Sequence, residues 1–418
     1  MNKDLINKDP RKKDKGSKQR KIYENLEPGG GKMAEILIVA GETSGDIYAA
    51  RVAEEIKKII PGISLTGMGG NRLARQDQRQ YIKTGQGEIG VSGGIKGINR
   101  HLEKINTLVE KAEETRPDAA LLVDYSGFNM YLGRKLRKKG LPVVHYIPPT
   151  AWVWGKWRAK WLARLDIKVA AIFPQEKEIY QQAGARCEFV GHPLLDEISV
   201  PRKQRPAREN LSDYLELADR GKLEKGSRVL ALLPGSRDQE IDVLTRPLLE
   251  AARRLDREFS LRVVLPQNLD RDASELTEMA SGYQLEVEVL ANRSREVLAA
   301  SDLAVVASGT ATLEAVLLNC PQIIVYQTGK MIELLGKVLI RTDHIGLPNI
   351  IAGREIAPEL MQDDVKGDII YKEARKFFLS PEPIRQQLES YQEVRRKLGE
   401  PGAAERTARM VVEEAGLR

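Results

Sequence analysis

From Met33 onward, short β-branched runs alternate with amphipathic segments of about ten residues or more. This alternation restricts the chain to α/β layers with parallel strands, because parallel neighbours need a long crossover connection, usually a helix. Strand candidates are residues 36–40, 119–123, 143–147 and 169–173, then, after a break, 229–233, 261–265, 303–307 and 323–326. The break between Gly191 and Ser227 is polar and Pro-bearing, so a linker is expected near Pro201 and a charged helix from about Ala207. A length of 418 residues suits two domains at roughly 100 to 200 residues each. The expected organisation is a tail over 1–32, an α/β domain over 33–200, a second over 201–365, and C-terminal helices over 366–418 that pack back on the first domain or on a partner. Two such sheets would face one another across a ligand cleft at the carboxyl ends of their strands.

The formal net charge of +7 has to be located before it is interpreted. Residues 1–32 hold ten Lys+Arg against five Asp+Glu and few apolar side chains, which leaves only +2 for the rest. Such a segment buries too little surface to offset its ordering entropy, so a disordered tail ending at Gly29-Gly30-Gly31 is expected. It reads as an arm for nucleic acid or anionic membrane, as a plain solvated tail, or as an upstream extension of a reading frame starting at Met33. With the remainder nearly neutral and no nucleic-acid motif present, no nucleic-acid partner is expected. No apolar run approaches the roughly 18 residues of a membrane span and the N-terminus is polar, so the protein is expected to stay in the cytoplasm. Cys187 and Cys320 stand alone and are expected to be buried small hydrophobes.

Three glycine-bearing turns follow predicted strands. In Ala40-Gly41-Glu42-Thr43-Ser44-Gly45-Asp46, two glycines admit close backbone approach, and the following helix start offers N–H groups to an anion or hydroxyl. The same turn also serves as a plain strand-to-helix connection. In Leu233-Pro234-Gly235-Ser236-Arg237, a guanidinium joins the backbone donors and suits a phosphate, although the acids Asp238 and Glu240 fit helix capping alone. In Ser308-Gly309-Thr310-Ala311-Thr312-Leu313-Glu314, small hydroxyl residues surround another helix start. A diphosphate suits those donors, with Glu314 accepting from a ribose. Two such turns in one domain imply a nucleoside-diphosphate site.

These runs, together with His145-Tyr146-Ile147-Pro148-Pro149-Thr150-Ala151-Trp152-Val153-Trp154, Val190-Gly191-His192-Pro193 and Leu347-Pro348-Asn349-Ile350-Ile351-Ala352-Gly353, resemble the motifs of the lipid-A-disaccharide synthase family. Their order and spacing match from Glu35 to about Gln362. The resemblance implies a GT-B glycosyltransferase of two Rossmann-like domains, inverting, that moves 2,3-diacylglucosamine from UDP to 2,3-diacylglucosamine 1-phosphate. It also implies work at the inner face of the inner membrane and a dimer with exchanged C-terminal segments. Substrate contacts are expected from Gly41, Glu42, Ser44, Gly45, Asp46, His145, Gly235, Ser236, Arg237, Ser308, Gly309, Thr310, Thr312, Glu314 and Asn349.

The segment carrying the family's general base reads Val123-Asp124-Tyr125-Ser126-Gly127-Phe128-Asn129 here. Asp124 retains the first acid, as the expected catalytic base, whereas Gly127 replaces a second. Gly90-Val91-Ser92-Gly93-Gly94-Ile95-Lys96 also departs from the family, which bears on acceptor choice. No Asp-x-Asp or histidine cluster is placed to hold a metal, so neither metal nor other cofactor is expected. All four tryptophans fall between Trp152 and Trp161 among Lys156, Arg158, Lys160 and Arg164, a pattern that suits either a lipid interface or aromatic packing. His145 and His192 are read as cleft-facing groups or satisfied structural donors, and Asn349 as a uridine or diphosphate contact or a turn residue. Rival readings are a sugar-nucleotide epimerase on the same architecture, a glycosyltransferase with another lipid acceptor, and a UDP-binding protein without turnover.

Overall fold

The computed structural model describes residues 33–84, 94–149, 157–198, 228–267, 273–327 and 344–417. The tail over 1–32, most of the Gly90 to Lys96 run, Trp152, Trp154, the linker at Pro201 and the helix expected from Ala207 lie outside these residues. The chain divides into two compact units. One holds the residues up to Tyr146 with Leu165–Lys168 and Thr407–Arg418, and the other holds Ile147–Arg164 and Val169–Arg406.

Two sheets carry the architecture. The first has the order β3-β2-β1-β4-β5-β6-β7, from β1 (Glu35–Ala40), β2 (Ser64–Gly69), β3 (Arg79–Lys83), β4 (Ala119–Val123), β5 (Val143–Tyr146), β6 (Lys168–Ala171) and β7 (Cys187–Phe189). The second has the order β10-β9-β8-β11-β12-β13, from β8 (Arg228–Leu233), β9 (Leu261–Gln267), β10 (Val287–Ala291), β11 (Leu303–Ala307), β12 (Gln322–Tyr326) and β13 (Glu359–Met361). Neighbouring strands pair in parallel, β1 with β2 and β4 in one sheet and β8 with β9 and β11 in the other. In each sheet the strand order reverses beside its first strand, at β1/β4 and at β8/β11. Such a reversal opens a crevice beyond the strand ends, where α/β sheets bind ligands.

The central strands explain why these runs are strands at all. Ile36, Leu37, Ile38 and Val39 of β1 and Ala119 to Val123 of β4 are fully buried, as continuous apolar runs covered on both faces should be. Both cysteines are buried with the core, as expected. In the second unit the helix Glu382–Leu398 grips the helix Thr310–Leu317 from its far end. Arg395 donates to Val316 O and to Asn319 Oδ1, and Tyr391 donates to Cys320 O at 3.0 Å. A cation at the carbonyl end offsets that helix's dipole. Among the described residues no helix is long and apolar enough to cross a membrane.

One buried carboxyl in this scaffold yields a stability prediction. The helix Pro174–Gln182 starts with proline, and Glu176, fully buried, folds back to accept from Ile172 N at 3.3 Å. Its Oε1 has no partner among the described residues. Burial pushes the Glu176 carboxyl well above the usual range, against the opposing pull of the Ile172 and Phe173 N–H groups. The folded chain therefore keeps a proton that the unfolded chain releases. Stability is full below the ordinary carboxylate pKa and declines as pH rises toward the folded value. Glu176→Gln keeps an acceptor for Ile172 and removes the ionisation. It is expected to stabilise the protein at pH 8 by on the order of 1 to 2 kcal/mol and to be neutral near pH 4, as read by denaturant titration at both pH values.

Candidate functional site

Each crevice is lined by the turn that leaves its central strand. In the first unit, β1 ends at Ala40 and the helix Thr43–Ile59 begins three residues later, with Glu42 in extended conformation at its N-cap. Gly41 is required by a neighbour: a Cβ there would lie 2.1 Å from the Tyr125 ring. Thr43 and Ser44 are exposed, and Gly45 is buried against Ala40 and the end of β4. Asp46 departs from its expected role as a ligand contact. Its oxygens accept from the main-chain N–H groups of Gly70, Arg72 and Leu73 at 2.7, 2.8 and 3.2 Å, so the buried carboxylate caps the short helix Asn71–Ala74.

Beside it, β4 delivers Asp124 and Tyr125, both with left-handed backbone (φ +50° and +48°), which turn the chain sharply into the helix Ser126–Lys138. The turn is pinned from below, where Asn129 Nδ2 donates to Val123 O and Asp124 O at 3.1 and 2.7 Å. From above, the Tyr125 hydroxyl shares a 2.6 Å hydrogen bond with His101 Nε2, and its ring stacks on Phe128 at 5.0 Å. The main chain that presents Asp124 is thus held in place, and the residue remains partly accessible. Burial first and the Glu42 carboxylate second push it up to about 6, against the Tyr125 N–H. A carboxylate so tuned is a competent base near neutrality. Gly127 is exposed, with open space where a side chain would go.

His145 departs from the expected ligand contact. It is wholly buried behind the strand end, its Nε2 lies 3.4 Å from Asp124 O, and burial pushes its pKa down to about 4. His192 is buried too, accepts from Leu194 N on Nδ1 at 3.2 Å, and is pushed down to about 3 by burial. Burial therefore keeps both imidazoles neutral at physiological pH.

In the second unit, β8 ends at the Gly235 turn, where Gly235 has φ +117°. The acceptor over this turn is the chain's own Glu240. Its Oε2 takes the N–H groups of Ser236 and Arg237 at 3.2 and 3.4 Å, and its Oε1 takes Arg237 Nη1 at 3.1 Å. The Arg237 side chain is 71% exposed. At the end of β11, Ser308 Oγ donates to Ile345 O at 3.1 Å, and the helix Thr310–Leu317 follows Gly309. Gly309 and Thr310 are accessible there, whereas Thr312 departs from its expected contact: it is buried and gives its hydroxyl to Gly309 O at 2.7 Å, which tightens the helix start.

Glu314 lies one turn inside, paired with Arg295 Nε at 2.8 Å, and Arg295 also reaches Glu197 at 2.6 Å. Burial raises the Glu314 carboxyl against the pull of Arg295. No motif signals Arg295, because its partners come from distant parts of the chain. Asn349, expected as a ligand contact, has its side chain taken up by the chain itself. It is fully buried, donates to Ala357 O and Glu359 Oε1 at 2.7 Å each, and accepts from Ile356 N and Ala357 N at 2.8 and 3.0 Å.

Comparison with known proteins places these turns in context. A family model described as lipid-A-disaccharide synthetase matches residues 36–413. The lipid-A-disaccharide synthase of Myxococcus xanthus is 36% identical over 380 residues, covering 90% of this chain and 97% of that protein. That of Geobacter sulfurreducens is 34% identical over 386 residues, covering 91% and 97%. Among solved structures, the UDP-GlcNAc 2-epimerase of Neisseria meningitidis bound to UDP-GlcNAc superposes with a TM-score of 0.61 at 12% identity, over 91% of this chain and 100% of the other. MurG of Acinetobacter baumannii gives 0.55 at 13% identity, over 91% and 99%. At those identities the two structures speak for the fold, which is GT-B.

Proposed function

Since this chain belongs to the lipid-A-disaccharide synthase family, and is with that family a glycosyltransferase, we propose a division of labour between its two sheets. The second sheet holds the donor, UDP-2,3-diacylglucosamine, by its diphosphate. Ser236 and Arg237 contribute a guanidinium and main-chain donors, Gly309 and Thr310 contribute the helix start, and Glu314 accepts from the ribose. The first sheet supplies Asp124, which takes the proton of the acceptor hydroxyl on 2,3-diacylglucosamine 1-phosphate as that oxygen attacks the anomeric carbon. The UDP oxygen leaves with its charge stabilised by Arg237 and the helix dipole, and the anomeric configuration inverts. The observation that carries this reading is Asp124, a carboxyl pushed up to about 6 on a rigid turn at the β1/β4 reversal.

Mass spectrometry of the product formed from these two substrates tests it. A disaccharide 1-phosphate, with UDP released only when acceptor is present, is expected. UDP-sugar interconversion without acceptor favours an epimerase, and UDP binding without turnover on a panel of lipid acceptors favours a binding protein. Arg237→Ala is expected to weaken UDP binding by roughly 1.5 to 3 kcal/mol, measured by calorimetry. EDTA is expected to leave turnover unchanged.

The acyl chains of both substrates argue for work at the cytoplasmic face of a membrane. Trp157 is 58% exposed, its ring lies 6.3 Å from that of Trp161, and Lys160 and Arg164 line the same surface hollow. Indoles and cations together suit an anionic lipid surface. Replacing Trp157 and Trp161 by serine is expected to reduce sedimentation with phosphatidylglycerol vesicles while UDP affinity holds. Intact vesicle binding with a collapsed melting temperature would make the pair core packing.

A further inference from the structure

The Glu240 carboxylate lies where a phosphate of the donor is proposed to bind. It accepts from the Ser236 N–H, the Arg237 N–H and the Arg237 guanidinium, two main-chain donors and one cation, which is the set a phosphate oxygen uses. The backbone is shaped to admit it. A Cβ on Gly235 would lie 2.4 Å from Glu240 Oε2, so the carboxylate fills the space that only glycine leaves open. Helix capping accounts for part of this arrangement, because Glu240 stands three residues into the helix Asp238–Phe259 and reaches back to its N-cap. A full capping box also needs the N-cap side chain to accept from the helix. The N-cap here is Arg237, which has no acceptor atom. Its guanidinium instead faces the carboxylate as it would face a phosphate.

Resting on the donor-site reading above, we propose that Glu240 is a displaceable internal anion that occupies the diphosphate turn between turnovers and competes with UDP for it. The incoming diphosphate carries more charge and more oxygens than one carboxylate, and Glu240, with a side chain 30% exposed, has room to swing outward. After transfer the carboxylate returns to the same donors and helps expel UDP. A ligand that must displace an occupant binds with an affinity reduced by the fraction of molecules in which the site is open. Neutralising the occupant removes that reduction.

The test is calorimetric titration of the full chain with UDP, for wild type and for Glu240→Gln, with product inhibition by UDP measured in parallel. The amide keeps an acceptor for the helix start and loses the charge. The expected result is UDP bound about five- to tenfold more tightly, with product inhibition tightened by the same factor and kcat not increased. Unchanged or weaker UDP binding in folded Glu240→Gln would overturn the proposal and leave Glu240 as a helix cap. Should that variant fail to fold, Glu240→Asp decides. It retains an acid in the first helical turn but is one methylene shorter, so the proposal requires tighter UDP binding there too, and unchanged or weaker binding overturns it. Arg237→Ala separates this proposal from the reading beneath it. If Arg237→Ala leaves UDP affinity unchanged, the diphosphate does not use this turn. If it weakens UDP while Glu240→Gln does not tighten it, the competition alone is wrong.

Discussion

Asp124→Asn is expected to fold, to bind UDP as wild type does, and to lose turnover by about 10² to 10⁴. The substitution preserves the size of the side chain on its left-handed turn and the Asn129 bonds to the main chain beneath it. It removes only the ability to take a proton. His145 and His192 offer no substitute, because they are buried and their pKa values are pushed down to about 4 and about 3. Gly127 supplies no second acid in this motif. The same carboxyl sets the pH dependence. A base pushed up to about 6 must be ionised to work, so turnover of the wild type falls as pH drops through that value. Glu42→Gln removes a like charge that raises Asp124 and is expected to move the acid limb to lower pH. A pH profile of kcat/KM under donor saturation, for wild type and both variants, checks all three statements. Near-normal turnover in Asp124→Asn would make this residue a turn acid.

Asn349→Asp is expected to destabilise the protein by about 3 kcal/mol or more while leaving the ligand-facing turns chemically unchanged. The wild-type amide is matched to its surroundings atom by atom: Oδ1 receives two main-chain N–H groups, and Nδ2 supplies a carbonyl and the Glu359 carboxylate. Glu359 in turn holds the N–H groups of Ile345 and Gly346 at 2.9 and 2.8 Å. An aspartate of the same shape converts the donor into an acceptor, facing both a carbonyl and another carboxylate without access to water. Two acceptors in contact lose the bond and pay for burying a second charge, so the local pin fails. Denaturant unfolding followed by circular dichroism measures the loss. A variant of normal stability that no longer binds UDP would restore Asn349 to the ligand site.

The two Asn349 outcomes show where sequence reasoning stops. β1, β4, β5, β6, β8, β9, β11 and β12 are legible because strands buried on both faces are largely apolar runs, and the turns that follow β1, β8 and β11 stand out by their glycines. The remaining strands hide for separate reasons. β2 (Ser-Leu-Thr-Gly-Met-Gly) is interrupted by glycine, β3 is a polar edge strand, β10 alternates with acid and is nowhere fully buried, and β7 and β13 have three residues each. At the site, spacing locates the turns but does not say what their polar groups hold. A small polar residue in a glycine-bearing turn looks the same whether it binds a ligand or caps a helix, which is why Asp46, Thr312 and Asn349 read as ligand contacts while their side chains bond to the chain itself. Arg295 carries no pattern at all, since Glu197 and Glu314 meet it only after folding.

The Tyr125 ring lies over Gly41 so closely that a single methyl group there would overlap it at 2.1 Å. The two positions, 84 residues apart, therefore share one volume. Gly41→Ala alone should displace the ring and, with it, the turn that presents Asp124. Pairing the change with a smaller residue at 125 should return part of the loss, giving a non-additive double-mutant cycle. Mutational drift at these sites is consequently permitted along a diagonal. A lineage that gains bulk at the first position must give it up at the second, and one that keeps the tyrosine is confined to glycine.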